Sequence, residues 1–194
     1  MANTATNVTF GKPATTGSIY RAPLGTTLPT DATTAIATVS NAYISMGYIA
    51  EGGVINSNSP ESTELKAWGG DVVANVINGR PDKFKFGLIE TLNPDVIKVP
   101  YGDDNVSGTL AAGITVLANA QDLPESVYVI DQVLRNGALK RIVIPDGKVT
   151  EVGDIVYADN DAVQYPVTIT AMASSAISGS THKEFIKAAT PATT

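Results

Sequence analysis

The stretch SVYVIDQVLRNGALKRIVIPDG, residues 126–147, decides the fold. Two runs rich in Val, Ile and Tyr, 126–134 and 138–144, flank Asn136-Gly137. Asn-Gly suits a tight hairpin because both central residues of that turn take positive φ. Asp146-Gly147 predicts a second hairpin turn directly after it. Further strand candidates follow at 154–158, 162–173 and 183–187, with another upstream at 113–120.

Towards the N-terminus, 18–22 predicts a short strand, 23–34 an irregular connection, and 38–50 the first substantial strand, with Tyr43, Ile44, Met46, Tyr48 and Ile49. Residues 51–62 (EGGVINSNSPES) predict a long loop, since Gly, Asn, Ser and Pro dominate it. The segment 64–77 alternates well in its second half, and Gly69-Gly70 predicts a bulge or bend within it. Residues 78–82 (NGRPD) turn the chain into 83–91, where Phe84, Phe86 and Leu88 share one face. Asn93-Pro94-Asp95 starts a helix: a cap, a proline at the first helical position, and an acid at the positive dipole end. Pro100 and Gly102 stop it within two turns. Seven or eight strands around one short helix predict a mostly β, largely antiparallel protein with a helical flank.

At 194 residues the chain suits a single domain, 17–187, between a flexible arm at 1–16 and a flexible tail at 188–194. The arm follows from composition: 11 of 22 threonines fall in the first 38 residues, where only Lys12, Arg21 and Asp31 are charged. With 43% hydrophobic and 16% charged residues, the rest is expected to fold. A net charge of -6 and no basic block argue against tight nucleic-acid binding. Zero cysteines exclude disulfides and thiolate chemistry, and a single histidine excludes a two-histidine metal site within one chain. No apolar run reaches membrane-spanning length, so no membrane partner is expected. The residues 1–12 (MANTATNVTFGK) do not read as a secretory signal, so synthesis in the cytosol is expected.

Catalytic and binding candidates are few. His182 could pair with Ser178 or Ser180, but residues two and four apart on a strand do not bond productively, and a strand-edge histidine is the simpler reading. Asp103-Asp104-Asn105 and Asp159-Asn160-Asp161 lack the spacing of a calcium loop and read as turns capped by their own side chains. Glu61 and Glu64 lack the aromatic wall of a glycosidase site. Asn7-Val8-Thr9 and Asn105-Val106-Ser107 match the glycosylation sequon without a secretory context. Trp68, beside Gly69 and Gly70 at the expected bend, reads as a buried packing anchor or an interface residue. No cofactor, metal or enzymatic activity is expected.

Several segments carry a resemblance that composition does not supply: residues 18–36 (SIYRAPLGTTLPTDATTAI), 56–71 (NSNSPESTELKAWGGD), 83–106 (KFKFGLIETLNPDVIKVPYGDDNV), 140–157 (KRIVIPDGKVTEVGDIVY), and 163–172 (VQYPVTITAM) followed by 182–186 (HKEFI). Together they resemble the major tail tube protein of long, non-contractile-tailed bacteriophages, in family order from about Ser18 to Lys187. The resemblance implies two packed antiparallel β-sheets flanked by a helix, a β-sandwich or barrel. Subunits would form hexameric rings stacked into a hollow tube, with four strands each joined around the bore. It gives the 51–62 loop, with Glu51, Asn56, Asn58 and Glu61, and the Thr-rich arm the role of ring-to-ring contacts. It places Gln132 and Lys140, with Ser45 and Lys66, on strands lining the bore. Similar sequences continue the helix through the position of Pro100, so a shorter helix is expected here. No added immunoglobulin-like domain is expected after Lys187.

The implied function is a structural virion protein forming the conduit for double-stranded DNA. Its partners would be itself, the tape-measure protein, and the tail terminator and distal tail proteins. DNA would pass without tight binding, consistent with an acidic chain. The tail tube would be assembled in the host cytoplasm. Two other classes compete. A secreted β-sandwich adhesin or carbohydrate-binding module would suit the Thr-rich, weakly charged composition, and a small all-β hydrolase has only scattered carboxylates in its favour.

Overall fold

One strand of 14 residues organises the computed structural model, which describes residues 3–14 and 17–188. In chain order the strands are β1 Lys12–Pro13, β2 Ile19–Pro23, β3 Ile44–Ser45, β4 Ile55–Asn58, β5 Glu61–Lys66, β6 Val72–Gly79, β7 Asp82–Leu88, β8 Val106–Thr109, β9 Gly113–Val116, β10 Ser126–Val133, β11 Leu139–Val152, β12 Tyr165–Ala171 and β13 Lys183–Lys187. A single helical turn, α1 Ile36–Val39, and the two-turn α2 Pro94–Tyr101 complete the regular structure, apart from short 3-10 turns. The protein is mostly β, with packed antiparallel sheets and a helical flank, as the sequence predicts; the main sheet stays open rather than closing into a barrel.

β11 belongs to both halves of that sheet. Its first half pairs with β10 (Ile130↔Ile142, Tyr128↔Ile144) and, on its other edge, with β13. Its second half pairs with β12, which continues to β7 and the edge strand β4. The crossing lies at Gly147, paired both with Ser126 of β10 and with Ala171 of β12. A Cβ there would stand 2.8 Å from the Tyr128 ring and 3.0 Å from a methyl of Ile169, so the close approach of the two halves requires glycine. The hairpin turn expected at Asp146-Gly147 is therefore absent: the strand runs straight through, because the glycine serves packing rather than reversal. The turn around Asn136-Gly137 does occur, as a short 3-10 segment Arg135–Gly137 between β10 and β11.

Burial on both sides explains the unbroken apolar runs. Tyr128, Ile130, Ile142 and Ile144 join Phe84, Phe86 and Leu88 of β7, Val167 and Ile169 of β12, and Val96, Ile97 and Val99 of α2 in the main core. The alternate residues Val127, Val129 and Val143 pack in a second cluster with Tyr20, Ala22, Ile36 and Tyr43. α2 starts as expected, with Asn93 Oδ1 accepting from the Asp95 amide at 3.1 Å. Its last turn contains Pro100, and the helix ends one residue later.

The second cluster is closed by a charged clamp. Arg141, opposite Asp131 in the β10–β11 ladder, donates from Nε and Nη2 to both carboxylate oxygens at 2.6 and 2.7 Å. Its Nη1 donates to the carbonyls of Asp31 and Thr34 at 3.0 and 2.8 Å. That loop is already folded on itself: Thr34 and Thr33 donate from side chains and amides to the Asp31 carboxylate, which holds it well below the ordinary aspartate range.

Several sequence expectations need correction. The segment 38–50 contains only the two-residue β3, because α1 and the positive φ of Gly47 break the extended run. Residues 154–158 form no strand. Residues 51–62 are not one loop: β4 pairs with β7 and β5 begins at Glu61. The arm expected at 1–16 has β1 paired with the end of β10 (Pro13↔Gln132), while residues 1–2, 15–16 and 189–194 lie outside the described ones.

Candidate functional site

The least self-sufficient part of the fold is the β5–β6 ribbon. Its two strands pair only with each other among the described strands, from Glu61↔Gly79 to Lys66↔Val72. Each strand continues in line into the main sheet, β5 from β4 and β6 into β7, whose last pair is Asn58↔Asp82. The whole is thus one long hairpin with a foot in the sheet and an arm outside it. Pro60 and Pro81 lie between foot and arm; lacking amide hydrogens, they interrupt the ladder there. Six residues of β5 carry the arm roughly 20 Å outward at about 3.3 Å per residue.

The reversal lies at residues 67–71. The Ala67 amide donates to the Asp71 carbonyl at 2.8 Å, and Gly69 and Gly70 take φ of 124° and 98°. Two successive positive φ values reverse the chain, so the bend expected within a single 64–77 strand is instead the arm's tip. Trp68 sits on that tip at 106% relative exposure. The buried-anchor reading is overturned for the single subunit, in which the ring packs against no core residue.

The arm is apolar without being covered. Leu65 faces Ala74 and Thr63 faces Val76 across the ladder, and with Val72 they make one face. Val73 and Ile77 lie on the other, with Glu64 opposite Asn75. Leu65, Val72, Val73, Val76 and Ile77 are each 53 to 66% exposed. An isolated two-stranded ribbon is marginal in water, and contiguous exposed apolar surface of this kind marks an interaction site.

At the foot, side chains from distant segments converge. Arg80 donates from Nε to Asn58 Oδ1. Asn56 Nδ2 donates to Asp82 Oδ1 at 2.8 Å and to the Lys83 carbonyl at 3.2 Å. Asp82 Oδ2 accepts from Thr181 Oγ1 at 2.6 Å and is bonded to His182 Nδ1. Burial pushes the Asp82 carboxyl up, but the bonds from Thr181, Asn56 and His182 outweigh it and hold the group below the ordinary range. Asp82 and His182 are a hundred residues apart, and no local spacing signals their meeting.

The other expected site residues are dispersed. Glu51 is exposed at the rim of a cleft of about 700 Å³, floored by Ile130 and bordered by Lys12, Tyr48 and Glu90. Asn56, Asn58 and Glu61 line the foot and first rung of the arm rather than a loop. Lys66 ends β5, exposed, 3.6 Å from Glu64. Gln132 and Lys140 are cross-strand partners on the face of Ile130 and Ile142, and Lys140 Nζ lies 2.8 Å from Glu184. Ser45 is half-buried on β3. Asp103, instead of joining an ion site, receives a two-pronged bond from Arg21 at 2.7 and 2.9 Å. Asp161 accepts from the Ala162 amide at 2.8 Å, as a turn residue does. Among the described residues no group of three His, Cys, Asp or Glu could hold a metal ion, and no helix is long and apolar enough to cross a membrane.

A β-rich subunit with an uncovered arm is suited to polymerisation, and the comparison with known families agrees. No curated protein matches the sequence. The family model described as phage tail tube protein matches residues 1–193, so the chain belongs to the phage tail tube protein family.

Proposed function

We propose that this subunit assembles into hexameric rings that stack as the phage tail tube, a structural virion component through which double-stranded DNA passes into the host. Family membership supports a tube-forming role. The observation that carries the reading is the arm: a projecting ribbon with five large aliphatic side chains and Trp68 exposed, which a second copy would cover. Stacked copies provide that cover in every ring except the last, where the terminator and distal tail proteins would take over, with the tape-measure protein inside. Assembly would occur in the host cytoplasm. Ser45, Lys66, Gln132 and Lys140 would face the bore. An acidic subunit suits a conduit that must release its DNA. No enzymatic role is proposed.

Negative-stain microscopy of the purified protein tests the reading. Rings or hollow tubes are expected, with Trp68 emission shifting to the blue as they form. A protein that yields neither at any concentration, including with the tape-measure protein supplied, would overturn it. Cysteines placed at 132 and 140 in this cysteine-free chain test the bore. In tubes they should resist a maleimide too wide to enter, and prompt labelling would remove them from the lumen.

A further inference from the structure

We infer that Asp82 and His182 are positioning residues that set the angle of the arm from the C-terminal segment, an inference that rests on the arm being an assembly element. Asp82 opens β7 at the foot of the arm, and its side chain is 0% exposed. A buried carboxylate is tolerated only when donors surround it. Here the donors come from both sides of the junction. Asn56 stands on β4, the other strand of the foot, while Thr181 and His182 belong to the segment leading into β13. One carboxylate thereby fixes both strands of the foot to the chain's last strand.

The placement makes this more than local satisfaction. β13 is paired with the first half of β11 (Val143↔Lys183), whereas β4 and β7 belong to the other half of the sheet. The Asp82 node therefore ties the two halves together directly beneath the proline interruption, where a two-stranded ribbon has fewest bonds and bends most easily. The His182 ring adds a lateral stop, meeting buried Phe84 edge-on at 5.3 Å. Asp82 ends the β4–β7 and β7–β12 ladders, at Asn58↔Asp82 and Ala171↔Asp82, so its side-chain bonds add to the backbone pairing where the arm begins.

Trp68, the single tryptophan, sits on the tip, so its fluorescence anisotropy decay in the unassembled subunit reports arm motion directly. His182→Ala and the near-isosteric Thr181→Val each remove one donor to Oδ2; His182→Asn returns an N–H at the same position. In the Ala and Val variants the decay should gain a fast component. Amide exchange across the β4–β7 foot should rise about tenfold, as expected for one lost bond to a charged group, with β10–β11 exchange unchanged. Tube formation should require a higher subunit concentration, and His182→Asn should restore all three. Unchanged anisotropy and foot exchange in both variants would overturn the inference, as would an equal rise in β10–β11 exchange or no rescue by Asn. Normal tubes from Trp68→Ala would instead overturn the arm's role in assembly, leaving the coupling measured in the subunit intact.

Discussion

Replacing Arg141 with Met tests the clamp that closes the second hydrophobic cluster. The guanidinium is 4% and the Asp131 carboxylate 12% exposed at the side chain, so their pairing is made away from water. Removing one partner of a buried pair costs about 3–5 kcal/mol, because the remaining charge is left without compensation. The carbonyls of Asp31 and Thr34 also lose their donor. Against a total stability of about 5–15 kcal/mol, the loss is large enough to bring the subunit close to unfolding. With a urea slope of about 2 kcal/mol per molar, the midpoint should fall by roughly 1.5–2.5 M. Circular dichroism is the appropriate signal, since Trp68 is already fully exposed in the folded subunit and its emission would miss the transition. Removing both charges, Asp131→Leu with Arg141→Met, should recover most of the loss, because no unpaired charge remains. A midpoint within about 0.5 M of the native value for Arg141→Met would refute the clamp. So would a double variant no more stable than the single one.

Gly147→Ala should cost about 1–3 kcal/mol, read as a lower melting temperature, because Tyr128 and Ile169 are buried and cannot withdraw from the added methyl; an unchanged melting temperature would show the two sheet halves less closely packed than described. The Asp82 carboxyl is held below its ordinary range, so its stabilising effect is fully present above about pH 4 and is lost as the pH falls through the lower folded value. Urea unfolding of the native protein and Asp82→Asn between pH 2 and 7 should accordingly show a stability gap that narrows on the acid side, and a gap constant with pH would contradict the assignment. Trp68→Ala should leave the subunit's melting temperature within about 2 °C of native while abolishing tubes.

The sequence by itself determined the elements whose cause is local. Asn93 and Pro94 start α2 by satisfying and omitting amide donors, and Pro100 confines it to two turns. Phe84, Phe86 and Leu88 share a buried face because strand side chains alternate. The β10–β11 hairpin follows from two apolar runs around a turn, and residues 183–187 form the last strand as expected. Tertiary structure alone decided what Gly and Asp do. Asp146-Gly147 and Gly69-Gly70 both read as breaks, yet the first lies inside a continuous strand because two sheet halves cross there, and the second reverses the chain. The arm's outward course depends on β4 pairing with β7, and Trp68 is exposed as a consequence; an apolar residue carries no local mark of whether its cover comes from its own chain or another. Asp82 and His182, like Arg141 and the 31–34 loop, meet across about a hundred residues. Their bonds exist because the fold brings the segments together, and no periodicity or spacing in the sequence encodes a contact made at that separation.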